Sequence, residues 1–285
     1  MTILIPALPK HVIERVVSNA LDEDLGRGDI TTASCVPKDA MGEAMLRARK
    51  PLVLAGVDVF RDVFRQVDSS VRVEASATDG QALSAGALAI RVKGRATSIL
   101  SAERVALNFV QRMSGVATLA AKYVAALPKG ATTRITDTRK TTPGLRALER
   151  YAVRCGGAHN HRDDLSSAVL IKDNHIAASG GITAAIERAR ANAPHTSRIE
   201  CEVDSMEQLK EALAARADIV LLDNFDDTSL EAAVALVAKR ALVEVSGGVT
   251  LERIPTIAKT GVDLISVGAL THSAPAVDLG LDWVE

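Results

Sequence analysis

The sequence predicts an α/β protein in two parts, a small α+β region followed by repeated strand–helix units that close a parallel barrel. Three observations carry this. Mixed apolar and charged alternation marks strands at 41–55, 71–76 and 87–94 around helical patterns, the composition of a small α+β domain. After Pro128, short apolar runs separated by helical stretches begin at 198, 218, 242 and 263, the rhythm of βα units. Finally, a polar residue, an ionisable residue or a glycine stands at the C-terminal end of nearly every one of these runs. A barrel brings such ends to one mouth, whereas an open sheet spreads them along an edge.

In order, Val12, Ile13, Val16, Val17, Ala20 and Leu21 recur at helical spacing until Gly26 and Gly28 interrupt it. A second helix is expected near 58–67, with Asp79 and Gly80 in a turn. A long helix runs from near Ser98 to Pro128, with a weak capping pattern over Ser101 to Arg104. The strand candidates that follow are RITD (134–137), AVLI (168–171), RIECEV (198–203), DIVLLD (218–223), LVEVS (242–246) and DLISVG (263–268).

Composition limits function. The 285 residues are 47% hydrophobic, enough for a full core, and 34 Lys and Arg stand against 35 Asp and Glu, a net charge of −1. Without a global basic field, and with only 2% aromatic residues for stacking, a nucleic-acid binder is not expected. Cys35, Cys155 and Cys201 are far apart and form no CxxC pair, which suits a reducing cytoplasm better than a disulfide framework. MTILIPALPK does not read as a signal peptide, and no apolar run is long enough for a membrane span.

Against that even balance, cations crowd between Arg134 and Lys172. Thr138, Arg139 and Lys140, then His161 and Arg162, then Lys172, sit among small polar residues, a setting that suits rigid anions such as carboxylates and phosphates. Arg146, Arg150 and Arg154, spaced four apart after Pro143, read instead as a solvated helix face. Lys172 occupies a position where a Schiff-base lysine could sit, but Asp173, Asn174 and His175 favour an anion-binding role. His159 and His161 lack a Cys or a third His for a metal site.

Two turns suggest a phosphate cradle. Ser246, Gly247 and Gly248 end one strand and open the helix LERIPTIAKT, and Gly268 and Ala269 end the next. Exposed backbone N–H groups and a helix N-terminus favour an anion there. Glu202 and Asp223, at strand ends, are suited to Mg²⁺ or sugar hydroxyls. Glu200 shares a face with Glu202, so the sequence leaves the choice between them open, and Asp204 faces away or caps the next helix.

The segments TDTRKTTPGLRALERYAV, GGAHNHRDDLSSAVLIKDNHI, ECEVDS, LLDNF, EVSGGVT, GVDLISVGALTHSA and DLGLD, with DEDLGRGDITT and SAERVALNFVQRMSG earlier, closely resemble the quinolinate phosphoribosyltransferases, or nicotinate-nucleotide pyrophosphorylases. The resemblance spans nearly the whole chain. It implies an N-terminal α/β sandwich over 1–115, an incomplete α/β barrel over 116–274, and a tail, 275–285, packed back on the sandwich. It also implies a homodimer or higher homo-oligomer with shared sites, and reaction of quinolinate with phosphoribosyl pyrophosphate and Mg²⁺ to give nicotinate mononucleotide, pyrophosphate and CO₂. By motif, Thr138, Arg139, His161 and Arg162 would grip quinolinate, with Arg104 supplied by the partner chain. Lys140 and Lys172 would meet quinolinate or pyrophosphate, Glu202 and Asp223 the ribose and metal, and Ser246, Gly247, Gly248, Gly268 and Ala269 the 5′-phosphate. A paralogue accepting another substrate, a catalytically silent phosphate-metabolite sensor and a Schiff-base aldolase are the rivals.

Overall fold

The computed structural model describes residues 5–284; Met1 to Leu4, within the segment read as no signal peptide, and Glu285 lie outside the described residues. The elements run α1 (Lys10–Leu25), α2 (Ile30–Cys35), β1 (Met41–Ala48), β2 (Leu52–Val53), α3 (Val57–Val67), β3 (Arg72–Ala75), β4 (Ala82–Leu83), β5 (Leu88–Arg95) and α4 (Ala96–Ala125). They continue β6 (Arg134–Thr136), α5 (Arg146–Cys155), β7 (Val169–Ile171), α6 (Asp173–Ser179), α7 (Ile182–Asn192), β8 (Ile199–Val203), α8 (Met206–Ala214), β9 (Ile219–Asp223) and α9 (Asp227–Val237). The last are β10 (Leu242–Ser246), α10 (Ile254–Lys259), β11 (Leu264–Ser266), α11 (Ala269–His272) and β12 (Leu279–Trp283). Among the described residues no helix is long and apolar enough to cross a membrane.

The chain forms two compact units, the first being residues 1–121, 141–157 and 269–285 and the second 122–140 and 158–268. The first therefore contains 116–121, 141–157 and 269–274 of the span 116–274 that the resemblance gives to the barrel, together with the tail. Its main sheet is antiparallel where paired, in the order β12-β1-β5-β3. Helix α3 buries Val59, Phe60, Val63 and Phe64, with the Phe60 and Phe64 rings 5.0 Å apart. Each such side chain contributes about 1.5–3 kcal/mol by leaving water.

A polar knot joins the three separate segments of this unit. Arg112 on α4 donates to buried Glu149 on α5 at 2.6 Å, to the Ala274 carbonyl at 2.5 Å, and to the Thr271 carbonyl. The Glu149 carboxylate also accepts from the Thr142 N–H at 3.0 Å and the Thr142 hydroxyl at 2.8 Å. Gly115 lets the tail pass, since a Cβ there would strike the Pro275 carbonyl. The expected solvated arginine face is corrected here. Arg150 is buried and Arg146 and Arg154 are half-buried, because α5 turns Leu148, Glu149, Ala152 and Val153 inward and draws its arginines with them. Likewise Ser101 caps nothing: α4 starts at Ala96, and the Ser101 hydroxyl donates to Asp29 at 3.2 Å.

The second unit is a parallel sheet in the order β6-β11-β10-β9-β8-β7. His159 adds a parallel bridge to Thr136 on the remaining edge of β6. All six strand candidates form strands within a residue or two of the expected bounds. Helix α8 is capped by Ser205, whose hydroxyl accepts from the Gln208 N–H, and not by Asp204.

The sheet is strongly curled. In a flat sheet at about 4.8 Å per strand, the residues beside β6 would stand roughly 24 Å from β8, five spacings away. Yet Nε2 of His161, two residues past the His159 bridge, lies 3.4 Å from Glu200 on β8 and 3.3 Å from Glu244 on β10. Only a sheet rolled toward a barrel permits this. Among the described residues β6 and β7 do not pair; the Arg162 guanidinium reaches the Ala168 carbonyl, just before β7, at 3.1 Å.

Candidate active site

Parallel strands place all their C-terminal ends on one side. In the second unit that rule gathers Thr138, Arg139 and Lys140 after β6, His161 and Arg162 after the bridge, and Lys172 after β7. Glu202 lies on β8, Asp223 ends β9, Ser246, Gly247 and Gly248 follow β10, and Gly268 follows β11. Arg104, exposed on α4, and Ala269, opening α11, belong to the first unit.

Register shows which side chains share a face. Leu221 on β9 is level with Glu202 on one side and Glu244 on the other, and Asp223 is level with Ser246. Because side chains alternate, Glu200, Glu202, Asp223, Glu244 and Ser246 all point to the face that holds His161. The opposite face carries the buried apolar residues Cys201, Val203, Val220, Leu222, Val243 and Val245.

The open choice between Glu200 and Glu202 resolves by layer. Glu202 is one layer nearer the strand ends and pairs with Lys172, while Glu200 is 4% exposed and faces His161. Lys172 is the N-cap of α6, and its N–H donates to Nδ1 of His175 at 2.9 Å.

The segment around Arg162 is tied down from below. Asp137, fully buried, accepts from the Asn160 amide at 2.6 Å and the His161 N–H at 2.8 Å. The Arg162 N–H in turn donates to Nδ1 of His161 at 2.7 Å. Burial first, and then the Arg139 charge, push the Arg162 pKa down, so two guanidinium groups are held close enough to repel. An anion between them would relieve that repulsion, the electrostatic signature of a carboxylate or phosphate site. Burial opposes charge on the His161 ring and the Glu200 and Glu244 carboxylates favour it, but a charged ring would put a proton on Nδ1, where the Arg162 N–H already points, so the hydrogen-bond geometry keeps the ring neutral; burial raises the pKa of Glu200.

At the turn after β10, Gly247 and Gly248 have φ of 83° and 55°, in the left-handed region. A Cβ on Gly247 would run into the Asn224 side chain and lie 2.8 Å from Asp223 Oδ1, so only glycine fits. Asn224, itself at φ 57°, donates to Asp223 Oδ2 at 2.7 Å. The sequence reading passed over Glu244, Asn160 and Asn224. Glu244 did carry a signal, a carboxylate in the middle of an apolar strand, since buried Glu is rare unless paired.

Residues 29–114 match the family described as "Quinolinate phosphoribosyl transferase, N-terminal domain", and residues 116–282 match its C-terminal domain. The chain belongs to the quinolinate phosphoribosyl transferase family. By that membership it is a phosphoribosyltransferase. A relative in Mycobacterium leprae, "Nicotinate-nucleotide pyrophosphorylase (carboxylating)", is 45% identical over 93% of this chain and 95% of its own length. A relative in Bacillus subtilis, "Probable nicotinate-nucleotide pyrophosphorylase (carboxylating)", is 40% identical over 95% of this chain and 93% of its own. The solved structure of the nicotinate-nucleotide pyrophosphorylase from Francisella tularensis superposes with a TM-score of 0.94 at 40% identity, covering 100% of both chains.

Proposed function

We propose that this phosphoribosyltransferase joins quinolinate to phosphoribosyl pyrophosphate and decarboxylates the product, yielding nicotinate mononucleotide, pyrophosphate and CO₂ for NAD synthesis. The observation that carries this is the pairing, on one set of strand ends, of crowded guanidinium groups with a glycine phosphate turn and inward carboxylates. Quinolinate brings two adjacent carboxylates; its cosubstrate brings a monophosphate and a pyrophosphate.

In this reading Thr138, Arg139, His161 and Arg162 receive the quinolinate carboxylates. Arg104 joins them from the partner subunit of a homodimer or higher homo-oligomer. Ser246, Gly247, Gly248, Gly268 and Ala269 hold the 5′-phosphate through backbone N–H groups. Lys140 and Lys172 take charge on the pyrophosphate or on quinolinate. The pyridine nitrogen, held in line, attacks C1 of the ribose as the C1–O bond to pyrophosphate breaks. The positive charge on N1 then stabilises the electron pair left at C2 when CO₂ departs, and that pair takes a proton. Positioning and charge matching thus supply most of the rate.

Glu202 and Asp223 are diagonal neighbours on adjacent strands, about 8 Å apart along the backbone. Both offer hard carboxylate oxygens on the same face, a donor set suited to Mg²⁺ held partly through water and substrate oxygens. When bound there, Mg²⁺ would neutralise the developing pyrophosphate charge. The reading includes a cytoplasmic location, which three free cysteines, two of them buried, support.

The test is incubation with quinolinate, phosphoribosyl pyrophosphate and Mg²⁺, following nicotinate mononucleotide by chromatography and CO₂ release, with nicotinate as control. Product from quinolinate alone is expected. Binding of both substrates without product would favour the sensor, and absence of quinolinate binding would favour the paralogue.

A further inference from the structure

Two buried carboxylates have no part in the reaction just described. Glu200 and Glu244 are 4% and 2% exposed, and each directs an oxygen at Nε2 of His161. The other ring nitrogen, Nδ1, accepts the Arg162 N–H at 2.7 Å. A ring nitrogen that accepts a hydrogen bond carries no proton, so the imidazole hydrogen belongs on Nε2, between the carboxylates. The three side chains offer ligand atoms within 4.8 Å of one another, which invites a metal-site reading. A protonated Nε2 has no lone pair to give a metal; its hydrogen lies within reach of Glu200 Oε2 at 3.4 Å, while Glu244 Oε1, 3.3 Å away, makes no hydrogen bond and acts on the ring through its charge.

We propose that Glu200 and Glu244 are positioning residues of the carboxylate-binding group, holding His161 in one tautomer and orientation and, through Nδ1, holding the backbone at Arg162. The inference rests on the reading of this site as the quinolinate site. The need for such anchors is local. The bridge to β6 ends at His159, and residues 163–167 are exposed, so Arg162 lies where the chain leaves the sheet. Asp137 fixes the backbone of His161 from one side, and the Glu200 and Glu244 pair fixes its ring from the other. Arg162 is thereby held by strands β8 and β10 as well as by its own segment. Two carboxylates do this better than apolar residues because they select the Nε2–H tautomer, which alone leaves Nδ1 able to accept.

Two measurements test this. In the wild-type protein, ¹⁵N spectra of the histidine rings, with His161→Asn used only for assignment, should show a protonated Nε2 and a pyridine-type Nδ1 at His161. A protonated Nδ1 would overturn the proposal. In kinetics, Glu244→Leu and Glu200→Leu should raise KM for quinolinate about 10- to 100-fold while KM for phosphoribosyl pyrophosphate stays within about 2-fold. Glu200→Gln, whose amide oxygen can accept from Nε2–H in place of Glu200 Oε2, should recover most of the loss. Unchanged quinolinate KM, or equal rises in both KM values, would count against it. Should the leucine variants fail to fold, the ring spectrum decides. Wild-type protein that does not turn over quinolinate would sink the functional reading, while the spectrum would still report on the trio.

Discussion

Lys172 and Glu202 form an ion pair across neighbouring strand ends. Register brings this about: Ile171 pairs with Cys201, so the next residue on each strand, Lys172 and Glu202, also stand side by side. An ammonium engaged by a carboxylate has no lone pair for a carbonyl, which separates this lysine from a Schiff-base nucleophile. Borohydride should therefore trap no carbonyl substrate at Lys172. Lys172→Met should lower kcat/KM by about 100-fold or more, the scale of removing one preorganised charge donor. Stable borohydride labelling at Lys172, or near-normal turnover by the methionine variant, would contradict this.

The Arg139 charge disfavours the charge on Arg162, and a dianionic substrate beside them would offset that repulsion. Arg139→Ala and Arg162→Ala should each weaken quinolinate binding by about 2–5 kcal/mol, measured by calorimetry, with little change in folding stability. Wild-type affinity in both variants would remove them from the site.

The Arg112 and Glu149 pair is a matter of stability. Glu149 is almost wholly buried, and its carboxylate unites α4, the turn at Thr142 and, through Arg112, the C-terminal segment. Glu149→Ala leaves a guanidinium partly buried without its counter-charge, and should cost about 3–5 kcal/mol in urea unfolding. The double change Arg112→Met with Glu149→Leu should cost less than the single one, because it removes both charges together.

Alkaline pH should weaken the fold. Burial pushes the Cys155 and Cys201 thiols up from 9.0 to about 12. A folded pKa above the unfolded one means stability is fully present below about pH 9 and is lost as pH rises toward 12, because the unfolded chain releases protons that the folded chain keeps. The urea midpoint should fall between pH 8.5 and 10.5 by the linkage slope, and less steeply in Cys201→Ala. Identical slopes in the two proteins would show that this thiol does not contribute. Exposed Cys35 should be alkylated first.

Much was legible in the sequence because it rests on local physics. Strand candidates such as LVEVS and DIVLLD carried their own apolar patterns, and the glycines at 247 and 248 announced a tight left-handed turn. Arg139, Arg162 and Lys172 were visible as cations in a chain that is otherwise evenly charged. The arginines of α5 were misread for a physical reason: their spacing describes a helix face, but which face meets solvent depends on what packs against it.

The sequence by itself determined the elements, their order and the residue types available at each strand end, since periodicity and turn chemistry act over a few residues. Only the tertiary structure decided that His161 meets Glu200 and Glu244, which are 39 and 83 positions away in the chain, and that Glu202 rather than Glu200 joins Lys172. The reason is curvature. Strand register and the roll of the sheet set which inward side chains share a layer, and both arise from the packing of all six strands together rather than from any one of them.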